Sequence, residues 1–455
     1  MNDDARMGGI RSGRLSAEIL RDNFADAHPA LTHQQALIES DRCYFCYDAP
    51  CVQACPTGID IPSFIRKIAT ANLRGSAHDI LEQNIFGAMC ARVCPTEMLC
   101  EGACVRNLQE RKPVAIGALQ RHATDWLLDR KMQLFARAPS SGKTIAVVGG
   151  GPAGLSCAHA LAMRGHGVVV FEAHDKLGGL NEYGVAAYKV AGGIAQREIA
   201  YLLQIGGIEI RLAQRLGRDV SLQQLRSEFD AVFLAIGLGA VNDLGIEVRS
   251  IDGVYDAIEY IGRLRQTDDL ASLPVGGSVV VIGGGMTAID IATQIKRLGA
   301  EDVTIVYRRG PEQMTASVRE QAWAQTNGVR IKHWARPVRV SAHEGRLTQV
   351  QFETTRQDGQ GQLIGTGDSF TLAADMLFKA IGQMLVASDL EDALDVLDLW
   401  SGRIAVDAER RTSLPGIWAG GDCVAGGKDL TVVAVEDGKI AARSIDRRLR
   451  GGLDG

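Results

Sequence analysis

Thr144-Ile145-Ala146-Val147-Val148-Gly149-Gly150-Gly151-Pro152-Ala153-Gly154 is a short apolar run that feeds straight into a glycine-rich turn. β-Branched side chains favour a buried strand. Glycines at 149, 151 and 154 permit a tight turn, close approach of the backbone to a ligand, and close helix packing. A helical stretch follows, then a second strand at Val168–Phe171, and Glu172 comes eighteen residues after Gly154. This is a β-α-β unit. Its turn points backbone N–H groups and a helix N-terminus at a pyrophosphate, and Glu172 stands where an acid accepts from ribose hydroxyls. A glycine pattern alone is common; strand, helix and acid in register make it specific.

The same unit recurs 134 residues later. Ser278–Ile282 leads into Gly283-Gly284-Gly285-Met286-Thr287-Ala288 and then Val303–Tyr307. Ala288 in the third place is compatible with the fingerprint. Two whole units far apart imply two nucleotide-binding domains rather than a solenoid. Here the second strand ends in Arg308-Arg309 rather than in an acid. Guanidinium groups at that point suit a 2′-phosphate and hence NADPH; the plainer reading is two arginines at a solvated strand end.

Upstream of Thr144 the composition changes. Ala138-Pro139-Ser140-Ser141-Gly142-Lys143 reads as a linker, and residues 1 to about 35 read as a polar leader of mostly helical pieces. Between them, helical patterns such as Ile61–Ala71 and Val114–Leu128 surround eight of the ten cysteines. One run is Cys43, Cys46, Cys51, Cys55-Pro56; the other is Cys90, Cys94-Pro95, Cys100, Cys104. Short thiol spacings followed by Cys-Pro are an iron–sulfur pattern. Zinc usually takes paired C-x2-C knuckles, whereas these gaps run two, four and three. Eight thiols suffice for two cubane clusters, and the simplest assignment gives each run one cluster.

The bulk numbers are those of an ordinary globular chain: 455 residues, 46% hydrophobic and 23% charged. A net charge of −5 gives no support to nucleic-acid binding. No run of eighteen apolar residues suggests a membrane span, and Met1–Leu15 lacks a secretory h-region. These features imply a cytoplasmic chain, where clustered thiols are metal ligands more often than disulfides. No Ser/His/Asp or metal-hydrolase constellation is evident.

Residues 35–125 resemble the cluster domain of the small subunit of bacterial glutamate synthase. They resemble still more closely the flavin/iron–sulfur subunit of NAD-dependent dihydropyrimidine dehydrogenase. The resemblance is carried by Cys43-x2-Cys46-Tyr47-Asp48-Ala49-Pro50-Cys51, by Ala54-Cys55-Pro56, and by Gly87-Ala88-Met89-Cys90-Ala91-Arg92-Val93-Cys94-Pro95-Thr96-Glu97. It extends over nearly the whole chain beyond the first thirty residues. In that family the clusters interleave. The resemblance implies Cys43, Cys46, Cys51 and Cys104 for one [4Fe-4S] cluster, and Cys55, Cys94, Cys100 and Gln120 for the other, with Cys90 a non-ligand.

It also implies the fold: an α/β chain with an N-terminal helical iron–sulfur domain and two Rossmann-like domains in a disulfide-reductase-like arrangement. The expected boundaries are 1–140 for the cluster domain, 141–239 with 377–455 for the FAD domain, and 240–376 for the NAD(P) domain. Ala235-Ile236-Gly237 and Ala380-Ile381-Gly382 resemble the chain crossings between the last two. In flavin enzymes of this kind, Gly179 of Gly178-Gly179 lies against the FAD phosphates. By the same resemblance Asp422, after Gly421 in Gly416–Asp422, is expected to bond the ribityl or phosphate region. The helix from Thr431 points its positive end at the flavin N1/O2 edge. The loop Asn181–Lys189 is expected beside the isoalloxazine, with Lys189 near the flavin. Arg308-Arg309 followed by Met314-Thr315-Ala316 resembles the NADH-using subunit, because NADPH-using relatives carry a further basic residue near Thr315. This tips the expectation to NAD(H) over NADP(H).

Flavin disulfide reductases place a redox-active C-x4-C after the first glycine turn, but Glu172–Val190 contains no cysteine. Electrons are therefore expected to leave through the clusters. The resemblance implies a separate FMN-containing, iron–sulfur partner subunit that reduces uracil and thymine. The alternatives are a glutamine-using glutamate synthase partner, a stand-alone electron-transfer module, or a scaffold that only retains cofactors.

Overall fold

The computed structural model describes residues 15–248, 251–386, 390 and 397–451. They form two compact units. The larger contains His28–Glu182, Gly192–Ala240 and the described part of Met384–Gly455; the smaller contains the described parts of Met1–Ala27 and Val241–Gln383, with Tyr183–Ala191.

The larger unit begins with helices His33–Ser40, Ile61–Ala69, Leu73–Gln83, Gly87–Val93 and Ile116–Arg130, joined by shorter turns. Sequence-local caps start them. Thr32 and Gln35 form a capping box, Asp60 accepts from Ser63 N–H and Asn72 accepts from Gly75 N–H. Each cap satisfies an N–H that the helix itself leaves open. Phe64, Ile65, Ile68, Ile80, Phe86, Leu119, Ala123 and Leu127 are all but fully buried. The helix expected over Ile61–Ala71 ends at Ala69, because Ala71 turns to φ 58°. The one expected over Val114–Leu128 runs Ile116–Arg130.

A five-stranded parallel sheet follows, in the order Ile417–Ala419, Ala231–Leu234, Thr144–Val148, Gly167–Phe171, Ile208–Arg211. The chain reverses direction across the sheet between Thr144–Val148 and Ala231–Leu234. Open α/β sheets hold ligands at the carboxyl ends of strands at such a switch point. Helix Pro152–Met163 lies against the C-terminal helix Thr431–Leu449 so closely that a Cβ on Gly438 would collide with the Ala153 carbonyl. Trp418, buried in this unit, donates to Ser444 Oγ at 3.0 Å.

The smaller unit repeats the plan with strands Val254–Asp256, Met376–Lys379, Ser278–Ile282, Asp302–Val306 and Arg330–Lys332, all parallel. It adds an antiparallel sheet, Ala335–His343, Arg346–Gln357 and Leu363–Ala373, where Phe352 stacks on Phe370 at 5.4 Å. Sequence reasoning did not separate that sheet from the nucleotide-binding pattern. Of the leader, residues 1–14 lie outside the described residues. Its helix Ala17–Asn23 buries Leu20 in this unit's core, and Asn23 Nδ2 donates to the Arg297 carbonyl at 2.7 Å. The segments expected as crossing strands are not strands: Ala235–Gly237 and Ala380–Gly382 follow strands ending at Leu234 and Lys379.

Candidate functional site

At the first glycine turn, Gly149 has φ 105°, and a Cβ there would strike the Ala235 carbonyl. Only glycine lets the two neighbouring strand ends approach this closely. A Cβ on Gly154 would strike the Gly149 carbonyl. Gly178 N–H donates to the Gly150 carbonyl at 2.8 Å, and a Cβ on Gly179 would come within 2.9 Å of the Gly151 Cα. Gly421 faces Ala153 in the first turn of helix Pro152–Met163. Thr431 Oγ1 donates to Asn181 Oδ1 at 2.7 Å. Gly149, Gly151, Gly154, Gly179, Gly421 and Thr431 therefore border one site at the switch point.

Glu172 is buried at the end of its strand. Its Oε2 accepts from Gly150 N–H at 2.7 Å, and its Oε1 accepts from His174 N–H at 2.8 Å and lies 2.7 Å from His174 Nδ1. A carboxylate offers about four acceptor sites, so with these three contacts about one is left for a ribose hydroxyl. Burial, reinforced by Asp429, pushes the Asp422 carboxyl up to about 6 despite Arg403.

The second turn copies the first. Gly283 has φ 152°, and a Cβ there would strike the Ala380 carbonyl as Gly149 would strike Ala235. Ala288, buried, occupies the third place. The difference lies at the next strand end. Where Glu172 faces Gly150, the ring of Tyr307 faces Gly284 at 2.5 Å from a built Cβ. Arg308 follows, exposed, and Arg309 is half-buried. Thr315 Oγ1 stands 3.2 Å from a Cβ built on Gly285, and Ala316 N–H donates to the Gly284 carbonyl at 3.1 Å. Thr315 thus borders the turn itself.

The thiols fall into two mixed groups. Cys43, Cys46 and Cys51 line one cavity together with Cys104 from the second run. Burial, then Cys104 and Cys43, push the Cys51 thiol up to about 12; as an iron ligand Cys51 would be held as the thiolate. Cys43 Sγ also accepts from Phe45 N–H at 3.4 Å. Cys94 and Cys100 both feel the charge of Cys55 from the first run, and Cys100 also feels that of Cys51. A hydrogen bond donated by the Cys94 thiol to Cys90, together with burial, raises the Cys94 thiol, so Cys90 sits against Cys94. Gln120 is buried, and its Nε2 donates to the Gly87 carbonyl at 2.7 Å. Among the described residues no three His, Cys, Asp or Glu side chains close on a single metal ion. The thiols of the first group stand around a cavity, the arrangement a multi-iron cluster requires.

Lys189 is buried in the smaller unit, 2.7 Å from Asp290 and 2.8 Å from Glu320. Lys189, Asp290 and Glu320 form a three-membered ion cluster. Cys157 and Cys423 are fully buried, and burial pushes Cys423 up to about 12, so both behave as core residues. Sequence reasoning missed Glu198, whose carboxylate accepts from Ala88 and Met89 N–H at 2.6 and 3.1 Å. It also missed Asp437, which accepts from Gly421 N–H at 2.9 Å. Both lie within helices, and nothing local in sequence marks them.

Residues 143–438, well over half of the chain, match the pyridine nucleotide-disulphide oxidoreductase family. The chain belongs to this family. Ahead of that match, residues 20–132 match dihydropyrimidine dehydrogenase domain II, 4Fe-4S cluster. The NAD-dependent dihydropyrimidine dehydrogenase subunit PreT of Escherichia coli K12 is 34% identical over 93% of this chain and 96% of its own length. A PreT homolog of Salmonella typhi is also 34% identical, over 92% and 96%. The glutamate synthase [NADPH] small chain of E. coli K12 is 32% identical over 94% of both. Two solved structures share the fold of this oxidoreductase family. Thioredoxin reductase of T. acidophilum has TM-score 0.53 and 21% identity over 67% of this chain and 98% of its own. FprA of Mycobacterium tuberculosis with NADPH has TM-score 0.57 and 18% identity over 70% and 87%.

This pyridine nucleotide-disulphide oxidoreductase is thus an NAD(P)H-dependent flavin enzyme with a 4Fe-4S domain. The glycine cradles fit the phosphates of FAD and of a nicotinamide nucleotide, and the cavity lined by four cysteines fits an iron–sulfur cluster. Among the described residues no helix is long and apolar enough to cross a membrane.

Proposed function

We propose that the chain is the electron-input subunit of a cytoplasmic NADH-dependent dihydropyrimidine dehydrogenase. Its partner is a separate FMN-containing, iron–sulfur subunit that reduces uracil and thymine. The observation that carries the reading is the mixing of the two cysteine runs, with Cys104 beside Cys43, Cys46 and Cys51. This supports two interleaved [4Fe-4S] clusters, the second held by Cys55, Cys94, Cys100 and Gln120. The names of the PreT relatives support the pyrimidine partner.

Bound FAD accepts two electrons together as a hydride equivalent and releases them singly, which suits it to feed iron–sulfur clusters. The residues do the holding. Gly149, Gly151, Gly154 and Gly179 admit the FAD pyrophosphate, Glu172 accepts from its ribose, and Gly421 with Asp422 and Thr431 borders its flavin half. Gly283, Gly285 and Ala288 admit the nicotinamide nucleotide. Residues 1–140 serve as cluster domain, 141–239 with 377–455 as FAD domain, and 240–376 as nicotinamide domain, except that helix Ala17–Asn23 and the segments Tyr183–Ala191 and 377–383 pack with the nicotinamide domain. Thr315 beside Gly285, where a base would favour a 2′-phosphate, supports NADH, with Arg308 and Arg309 at the ribose end.

The test is anaerobic reduction of the loaded chain by each nucleotide, followed by addition of the co-purified partner and uracil. Faster bleaching by NADH and formation of dihydrouracil are expected. A hundred-fold preference for NADPH overturns the nucleotide assignment. Glutamate formation from glutamine and 2-oxoglutarate by the co-purified complex overturns the pyrimidine reading.

A further inference from the structure

The turn that carries Cys55 is tied from two sides. Gly58 N–H donates to the Cys55 carbonyl at 2.9 Å and closes Cys55-Pro56-Thr57-Gly58. Inside the turn, Thr57 Oγ1 stands 3.3 Å from Cys55 Sγ, and Thr57 is only 3% exposed. A thiolate has no proton to give, so with Cys55 on iron the hydroxyl must be the donor. On the other side, Lys439 Nζ donates to the Thr57 carbonyl at 3.1 Å and to the Gln83 carbonyl at 2.6 Å. The same ammonium pairs with Glu436 at 2.9 Å. Lys439 belongs to helix Thr431–Leu449, whose first residue bonds Asn181 at the FAD cradle. Eight residues of helix separate Thr431 from Lys439, a rise of about 12 Å. One helix therefore borders the FAD cradle at its start and clamps the Cys55 turn two turns later.

We propose that Thr57 sets the reduction potential of the cluster bound through Cys55, and that Lys439 is the positioning residue that holds it there. The inference rests on Cys55 being a ligand, as the proposed function has it. Hydrogen bonds to cluster sulfurs raise the potential, because the donor favours the more negative, reduced state. At Cys43 the donor is the Phe45 backbone N–H, which no change of side chain removes. At Cys55 it is a side chain, and sequence can tune it. The Lys439 charge acts in the same direction and fixes the turn that aims the hydroxyl.

The experiment is a redox titration of the full chain, loaded with FAD and iron–sulfur clusters and followed by electron paramagnetic resonance. Thr57→Val, close in shape but without the hydroxyl, lowers one cluster midpoint and leaves the other in place; Thr57→Ser restores it. Lys439→Met lowers the same midpoint, and Lys439→Arg restores it. Cys55→Ala loses the iron of one cluster. Unmoved midpoints in Thr57→Val and Lys439→Met, with iron lost in Cys55→Ala, overturn this inference and leave the ligand assignment standing. Full iron content in Cys55→Ala overturns both. If Thr57→Val does not load its cluster, the Lys439→Met titration decides, because that side chain touches no thiol.

Discussion

The Gln120 side chain donates through Nε2 to the Gly87 carbonyl at 2.7 Å, and this bond tells the two ends of the amide apart. A carbonyl accepts only from the NH2 end, so Oε1 points away from Gly87. Gln120 is thus held by the helix that leads into Cys94, with its acceptor end free to face elsewhere.

This orientation gives the first prediction. Gln120→Leu removes the oxygen and should cost one cluster, read as a fall in iron and sulfide content and loss of one paramagnetic signal. Gln120→Cys should keep the iron and lower that cluster's potential, since a thiolate adds negative charge. Both clusters retained with unchanged spectra in Gln120→Leu would remove Gln120 from the ligand set.

The two glycine turns separate by mutation. Gly149→Ala drives a Cβ into the Ala235 carbonyl at φ 105°. FAD affinity should fall ten-fold or more, about 1.4 kcal/mol, read as flavin absorbance per protein after gel filtration. Gly283→Ala, aimed at the Ala380 carbonyl, should keep the flavin and raise KM for the nucleotide by a similar factor. Equal flavin loss in both variants would contradict separate sites.

Lys189 neutralises Asp290 and Glu320 in a buried setting. Lys189→Met leaves two carboxylates without their cation, and breaking such a pair costs about 3–5 kcal/mol. A lower Tm with an unchanged flavin spectrum and unchanged flavin potential would assign Lys189 to the ion cluster alone. A shifted flavin potential would restore the expectation that it acts beside the flavin.

Burial pushes the Glu198 carboxyl up to about 8, although the Ala88 and Met89 N–H groups favour its ionised form. The folded chain then holds a proton that the unfolded chain releases in the ordinary glutamate range, 4.5. Stability should therefore fall as pH rises from that value to about 8, by up to about 1.4 kcal/mol per pH unit. Urea unfolding at several pH values checks this. Glu198→Gln should flatten the slope; an unchanged slope would place the titration elsewhere.

The sequence by itself determined both nucleotide folds, because their signals are local. A β-branched run, three small residues at fixed offsets and a helix are read within about thirty positions, and Gly149 and Gly283 both proved to lie against the next strand end. It also marked residues 43–104, which hold eight of the ten cysteines, as an iron–sulfur pattern. Tertiary structure decided what depends on distant segments. Spacing alone favoured one cluster per cysteine run, and the interleaved alternative came only from family resemblance; the fold itself puts Cys104 beside Cys43, Cys46 and Cys51. Tyr307 stands where the first unit has Glu172 because strand register, not residue type, fixes that position. Nothing local marks the partners of Lys189, which are Asp290 and Glu320 on two helices more than a hundred residues further along. Glu198 and Lys439 meet partners over a hundred residues away. A charge or a hydrogen bond acts over a few ångströms of space, and only folding turns sequence separation into that distance.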